Sequence, residues 1–379
     1  MGAEVGAAVA DSDVVATTRP KLAVQDLAVV RGGQRILAVP RLGVDAAKVL
    51  AVIGPNGAGK STLLHVMALL ERPTAGQIYF DGMPVQGNLL PYRRRMAVVF
   101  QEPLLLDTSV FNNVAVGLRL RRLGSKAIKE RVERWLDRFG IGHLSRRSAR
   151  TLSGGEAQRA SLARAFALAP EVLLLDEPFA ALDQPTREVL MDDLAGALRE
   201  TGVATVLVTH DRNEALRLAD GVAVLMAGQL RQWGTPGEVF AAPVDQEVAA
   251  FVGMETIAPG RVIAATQGIH HVAVGGTTIE ATGPATISGD VLVGLRPEDV
   301  VLTLPGDTRP ITSARNQICG LIQRIDLLGP QARVVLDCGF PLIAIITKQS
   351  LEEMYLGQGM TVVASFKASA VHLIARGSL

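Results

Sequence analysis

Residues 21–30 (KLAVQDLAVV) alternate apolar and polar positions, the period of a half-buried strand. Arg31-Gly32-Gly33 turns the chain, and residues 36–44 predict a second strand, which Pro40 places at a sheet edge. Four later runs, 49–53, 96–100, 172–175 and 203–208, are short and apolar, broken only by Thr205, so they predict buried strands. Residues 77–82 predict a further strand and hairpin. Helical spacing takes over between them: Ile128, Val132, Trp135, Leu136 and Phe139 fall at i, i+4, i+7, i+8 and i+11. Helices are also predicted from Thr62, after Glu156 and over 186–200. A helix-like run reaches Phe251, and beyond about residue 256 the pattern turns to short Val/Ile strands and glycine turns.

Composition adds bounds. At 379 residues, 48% apolar, the chain has material for two or three domains. The net charge is +1, and no global excess points to nucleic acid. No apolar run reaches the roughly 20 residues of a membrane span. Residues 1–20 carry Glu4, Asp11 and Asp13 without a basic stretch and read as a flexible tail, not a secretory signal. Cys319 and Cys338 are too few for a disulfide framework and read as small core residues. Arginine and lysine crowd residues 104–150, which fits a solvated helical face or one near anionic lipid headgroups better than a nucleic-acid patch.

The chemistry sits at the ends of the apolar runs. After 49–53 comes Gly54-Pro55-Asn56-Gly57-Ala58-Gly59-Lys60-Ser61-Thr62, a phosphate loop between strand and helix. Its glycines let backbone N–H groups curl around phosphate oxygens, and the helix N-terminus adds partial positive charge. Lys60 should reach the β- and γ-phosphates, and the Ser61 hydroxyl should hold Mg²⁺. Run 96–100 ends at Gln101, and run 172–175 at Asp176 and Glu177. Asp176 suits a magnesium ion, and Glu177 suits the polarising of an attacking water. Run 203–208 ends in Thr209-His210, which puts His210 within reach of a γ-phosphate. Ser153-Gly154-Gly155 at a helix start is a second anion-binding arrangement, which requires a second nucleotide or a second copy of the chain.

Taken together, these elements resemble the ATP-binding subunit of an ABC transporter over residues 21–250. GPNGAGKST at 54–62 matches the Walker A motif, Gln101 the Q-loop, LSGGE at 152–156 the signature, and LLLDE at 173–177 the Walker B. Ala181-Leu182-Asp183 matches the D-loop and His210 the switch histidine. The resemblance implies an α/β P-loop NTPase domain with a helical subdomain at about 104–150 that docks membrane subunits. It also implies a head-to-tail homodimer in which Ser153 and Gly155 of one copy cap the ATP held by Lys60 of the other. Glu177, His210 and Lys60 then carry catalysis. Gly54, Asn56, Gly57, Gly59, Thr62 and Asp183 contribute to nucleotide binding, and Ser61, Gln101 and Asp176 hold the metal. Arg31 stands where the family usually has an adenine-stacking aromatic, and its guanidinium can stack on a base.

Residues 257–379 resemble the all-β, OB-like accessory barrel of importer-type ABC ATPases. Residues 291–302 align without gaps on 362–373, and 260–263 resemble 320–323, an internal repeat of two small β units. The second half, 311–379, resembles a molybdate-binding Mop domain. A tetrahedral dianion wants hydroxyl and amide donors with one or two cations, and Ser313, Arg315, Asn316, Lys367 and Ser369 supply that set. An alternative is that this domain only dimerises the ATPase. The resemblance implies an importer of molybdate or tungstate at the cytoplasmic face of the cell membrane. Its partners would be two permease subunits and, indirectly, a periplasmic or extracellular oxyanion-binding protein, with no nucleic acid. Another cargo (sulfate, sugar, polyamine or iron), or a soluble oxyanion store or sensor, are the competing readings. A soluble ABC ATPase of translation or repair would carry paired cassettes or long insertions.

Overall fold

The computed structural model describes residues 20–306 and 312–376. The expected tail lies almost wholly outside them. The chain divides into two compact units that meet at Pro236 and Gly237.

The first unit is built on one sheet. Its strands are β1 (Leu22–Arg31), β2 (Gln34–Val44), β3 (Val49–Ile53), β4 (Ala75–Phe80), β5 (Met83–Pro84), β6 (Met96–Val99), β7 (Val172–Asp176), β8 (Ala204–Thr209), β9 (Gly221–Met226) and β10 (Gln229–Gly234). Their order is β5-β4-β1-β2-β10-β9-β3-β8-β7-β6. Strands β9, β3, β8, β7 and β6 run parallel, and β3, β7 and β8 are buried along their whole length, which is why their sequences are dominated by Val, Leu and Ile. Pro40 does not mark an edge, since β2 lies between β1 and β10. Strand β10 pairs with β2 only at Ala38, so the side of β2 beyond it needs no donor from Pro40.

The helices are α1 (Lys60–Met67), α2 (Leu90–Arg93), α3 (Val110–Leu120), α4 (Ser125–Arg138), α5 (Gly154–Ala167), α6 (Gln184–Thr201) and α7 (Arg212–Leu218). Ile128, Val132, Trp135 and Leu136 bury one face of α4 against α5, and Phe139 closes it. Trp135 stacks on Phe166 with ring centroids 4.8 Å apart.

The second unit holds α8 (Pro236–Ala241), α9 (Gln246–Phe251), β11 (Thr256–Thr266), β12 (Ile269–Val274), β13 (Thr277–Thr282), β14 (Asp290–Leu295), β15 (Val301–Thr303), β16 (Asn316–Leu328), β17 (Gln331–Asp337), β18 (Pro341–Thr347), α10 (Lys348–Glu353), β19 (Thr361–Phe366) and β20 (His372–Ala375). The unit begins ahead of the composition change near 256. Ala249 and Met254 pack with Leu292 and Ile374, and the Arg296 guanidinium donates to the Val252 carbonyl at 3.1 Å, so α8 and α9 belong to the barrel side.

Two five-stranded sheets, β13-β12-β11-β14-β20 and β15-β19-β16-β17-β18, share one core. The repeat is visible as strand, 3-10 turn, strand in both halves, at β14 to β15 and β19 to β20. Each half lends its last strand to the other sheet: β15 pairs with β19, and β20 with β14. Of the two cysteines only Cys338 is buried, its thiol pushed up to about 12 by desolvation. Cys319 is exposed, because the alternation of β16 turns Ile318 and Ile322 inward.

Candidate functional site

Strands β3, β8, β7 and β6 are consecutive neighbours and parallel, so the turns after them emerge at one sheet edge. Those turns carry the phosphate loop, His210, Asp176-Glu177 and Gln101. Buried strands with acids only at their tips leave the carboxylates at the rim, and this is the local reason the site forms here.

Gly57 and Gly59 take φ values of 80° and 94°, which favour glycine, and a Cβ at Gly54 would meet the Leu225 carbonyl oxygen at 2.1 Å. Helix α1 starts at Lys60 with no side-chain cap and no acid in its first turn, so its leading N–H groups are offered to an anion. Lys60 is 5% exposed. Its Nζ donates to the carbonyls of Gly54 and Pro55, both at 3.0 Å, and lies 3.8 Å from Glu177 Oε1. Desolvation lowers its pKa. Ser61 Oγ donates to Asp176 Oδ1 at 3.1 Å, and burial raises the Asp176 carboxyl. Glu177 Oε2 lies 3.1 Å from His210 Nδ1. Glu177 itself has a φ of 44°, a strained backbone for a residue with a Cβ. Uncapped amides, a buried cation and a hydroxyl–carboxylate pair form a donor set that fits a triphosphate with Mg²⁺. Gln101 follows β6 as an exposed residue at the same edge.

Ser153, Gly155 and Asp183 form a separate group. Ser153 caps α5 in a capping box: its N–H and Oγ donate to Glu156 Oε2 at 2.8 and 2.9 Å. Asp183 caps α6 by accepting from the Thr186 N–H at 2.8 Å. A Cβ at Gly155 would meet Thr186 Cγ2 at 2.9 Å and Leu182 Cδ2 at 3.8 Å, so the two helix starts are in close packing. Among the described residues no hydrogen bond or ion pair joins Ser153 to the Lys60 cluster. Arg31 is held by Glu71 through two hydrogen bonds to Oε1, at 3.2 and 2.7 Å, and one to Oε2 at 2.6 Å.

The five anion-site candidates of the second unit are not one free donor set. Asn316 has both amide atoms on the Glu280 backbone: Oδ1 accepts from its N–H at 2.7 Å and Nδ2 donates to its carbonyl at 2.8 Å. Arg315 pairs with the Glu280 carboxylate. Ser313, Lys367 and Ser369 are exposed. The physical reason lies in the repeat. Thr256, at the start of β11, accepts from the Ile343 N–H of β18 at 2.9 Å, and Asn316, at the start of β16, does the same toward β13. Both side chains latch the two sheets together. Also unforeseen were Thr209, Glu214, Arg187 and Asp211, which surround His210; only the adjacency of Thr209 and Asp211 to the histidine was a signal in the sequence.

A phosphate loop beside a buried strand-end acid and a glutamate, on the parallel half of a mixed sheet, defines a P-loop nucleoside triphosphatase. The ABC transporter family model matches residues 38–180, and the TOBE domain model residues 312–373. The molybdate/tungstate import ATP-binding protein of Pyrococcus abyssi is 40% identical over 84% of this chain and 90% of its own length. The sulfate/thiosulfate import ATP-binding protein of Xanthomonas campestris pv. campestris is 38% identical over 85% and 91%. Among solved structures, the cbiO1 component of an ABC transporter complex from Clostridium perfringens aligns with a TM-score of 0.56 and 31% identity, over 62% of this chain and 96% of that one. The chain belongs to the ATP-binding subunits of ABC transporters. It binds ATP and is an ATPase.

Proposed function

We propose that this chain energises the import of a tetrahedral oxyanion, molybdate or tungstate, as one of two identical ATPase subunits beneath a pair of membrane permease subunits. The observation that carries the dimer is the separation of the two phosphate-facing groups. Lys60 and Glu177 form one cluster, while Ser153 and Gly155 present a helix start elsewhere, available to the nucleotide of a second copy. Among the described residues no helix is long and apolar enough to cross a membrane, which suits attachment through partners at the cytoplasmic face.

Lys60 and the loop amides hold the β- and γ-phosphates. Ser61 and Asp176, with Gln101, hold Mg²⁺, which when bound neutralises phosphate charge. Glu177 polarises the attacking water, and His210 orients Glu177 and faces the γ-phosphate. Asp183, Ser153 and Gly155 close the site in the dimer. Glu177→Gln is expected to slow turnover by about 10²–10⁴-fold and to leave an ATP-dependent dimer visible by size exclusion. Unchanged turnover would reject Glu177 as the base.

The cargo reading is supported by relatives named for molybdate/tungstate and for sulfate/thiosulfate, anions of one shape and charge. Sulfate is the second reading. ATP-driven uptake into vesicles holding the permease pair, with each anion as competitor, separates them; preference for sulfate would overturn the first. In the accessory unit, Ser313, Lys367 and Ser369 are the exposed donors for a regulatory anion, and Arg315 would join them by leaving Glu280. Tungstate binding to the full chain should be lost in Lys367→Ala; absence of binding in the unaltered chain removes this role.

A further inference from the structure

Arg187 stands on α6, outside the nucleotide cluster, and reaches two loops. Its Nη2 donates to the Leu182 carbonyl at 3.4 Å and its Nη1 lies 3.3 Å from Asp211 Oδ2. Its Nε is buried without a partner, so the guanidinium is held in place by those two contacts and by packing. The first loop begins at Glu177 itself. Two tight turns, Ala180 N–H to the Glu177 carbonyl at 3.2 Å and Leu182 N–H to the Phe179 carbonyl at 3.2 Å, carry the chain from Glu177 to Leu182. The second loop carries His210 between two clamped neighbours. Asp211 Oδ1 caps α7 by accepting from the N–H groups of Asn213 and Glu214, at 2.7 and 3.3 Å. Thr209 Oγ1 accepts from the Asp211 N–H at 3.0 Å and donates to Glu214 Oε2 at 2.5 Å. Glu214 is buried, and desolvation raises its carboxyl. With both neighbours fixed, the His210 ring is aimed at Glu177.

We propose that Arg187 is a positioning residue that ties the Leu182–Asp183 loop to the His210 loop, so that movement of Asp183 and of the Ser153–Gly155 turn is passed to His210 and Glu177. The packing of Gly155 on Leu182 and Thr186 supplies the first link, and the guanidinium fork supplies the second. A fork suits this task because one planar group can hold a carbonyl and a carboxylate at fixed separation, whereas an ammonium is a single point charge. The inference rests on the assignment of Glu177 and His210 to catalysis.

The test is steady-state ATP hydrolysis by the full-length protein. Arg187→Met is expected to lower kcat by about 10–100-fold, the cost of a misplaced catalytic group, with KM for ATP changed by less than about threefold. Arg187→Lys is expected to restore kcat only in part. Asp211→Asn keeps an oxygen for the α7 cap and should lower kcat similarly, and the Arg187→Met/Asp211→Asn double variant should be no worse than the more impaired single. In a Glu177→Gln background, Arg187→Met should still form the ATP-dependent dimer, which a misfolded protein would not. An unchanged kcat, a KM that rises in step with the fall in kcat, or full restoration by lysine would each overturn the proposal. If Glu177→Gln turns over normally, the catalytic assignment fails instead; if it is inactive while Arg187→Met is normal, only the role of Arg187 fails.

Discussion

Glu177 carries two burdens at once. Its carboxylate faces His210, and its backbone sits at a φ of 44°, where a Cβ costs about 1–2 kcal/mol. Glycine has no such cost, so Glu177→Gly should be about 1 kcal/mol more stable than Glu177→Ala, with both inactive. Urea unfolding of the pair measures the difference, which cancels the loss of the side chain itself. Thr256 and Asn316 give a second prediction at this scale. Thr256→Val leaves the Ile343 N–H unpaired, and Asn316→Leu leaves that of Glu280 unpaired. Each should cost about 1–3 kcal/mol in chemical denaturation.

Among the elements, α4 is held by an aromatic cluster as well as by ion pairs from Arg134 and Arg138 to Glu200 of α6. Trp135 stacks on Phe139 and Phe166, and Ile128, Val132 and Leu136 are buried on the same helix. Trp135→Ala should therefore destabilise the first unit by about 3–5 kcal/mol, read from thermal or urea unfolding. The strand ends are different. Lys21 before β1, Asp81 after β4, Arg95 before β6 and Glu171 before β7 form one ion-pair network. The Arg95 hydrogen bond, followed by that from Lys21, holds the Glu171 carboxyl down from 4.5 to about 2. Because this folded value lies below the unfolded one, the contribution is complete above 4.5 and is lost as the pH falls toward about 2. Glu171→Gln should flatten the acid limb of stability against pH, while leaving the shape above 4.5 unchanged.

At the scale of the whole molecule, each unit has its own closed core. A fragment of residues 237–379 should unfold cooperatively by circular dichroism. Cutting at 257 instead removes α8 and α9 and uncovers Leu292 and Ile374, so that fragment should be less stable by about 3 kcal/mol. Equal stability of the two fragments would place α8 and α9 outside the barrel unit.

The sequence alone determined most of the elements, β9 and β10 aside, and marked the residues of the candidate nucleotide site. A run such as 172–175 has one stable use, a strand buried on both faces, and the acids that follow fall at its tip. Phosphate-loop chemistry is likewise contiguous: glycines, lysine and hydroxyl lie within nine residues, so local geometry suffices. What the sequence could not decide is pairing over long separations. The repeat at 291–302 and 362–373 was legible, but the exchange of β15 and β20 between sheets was not, because related strands can satisfy their backbone hydrogen bonds with either partner. For the same reason Asn316 read as an anion donor, when the fold spends its amide on Glu280, 36 residues away. Arg187 gave no signal at all, since a helix-surface arginine acquires a task only when folding brings two loops within its reach. Tertiary structure alone decided which polar groups remain free to act, since each buried N–H and carboxylate claims its nearest partner first.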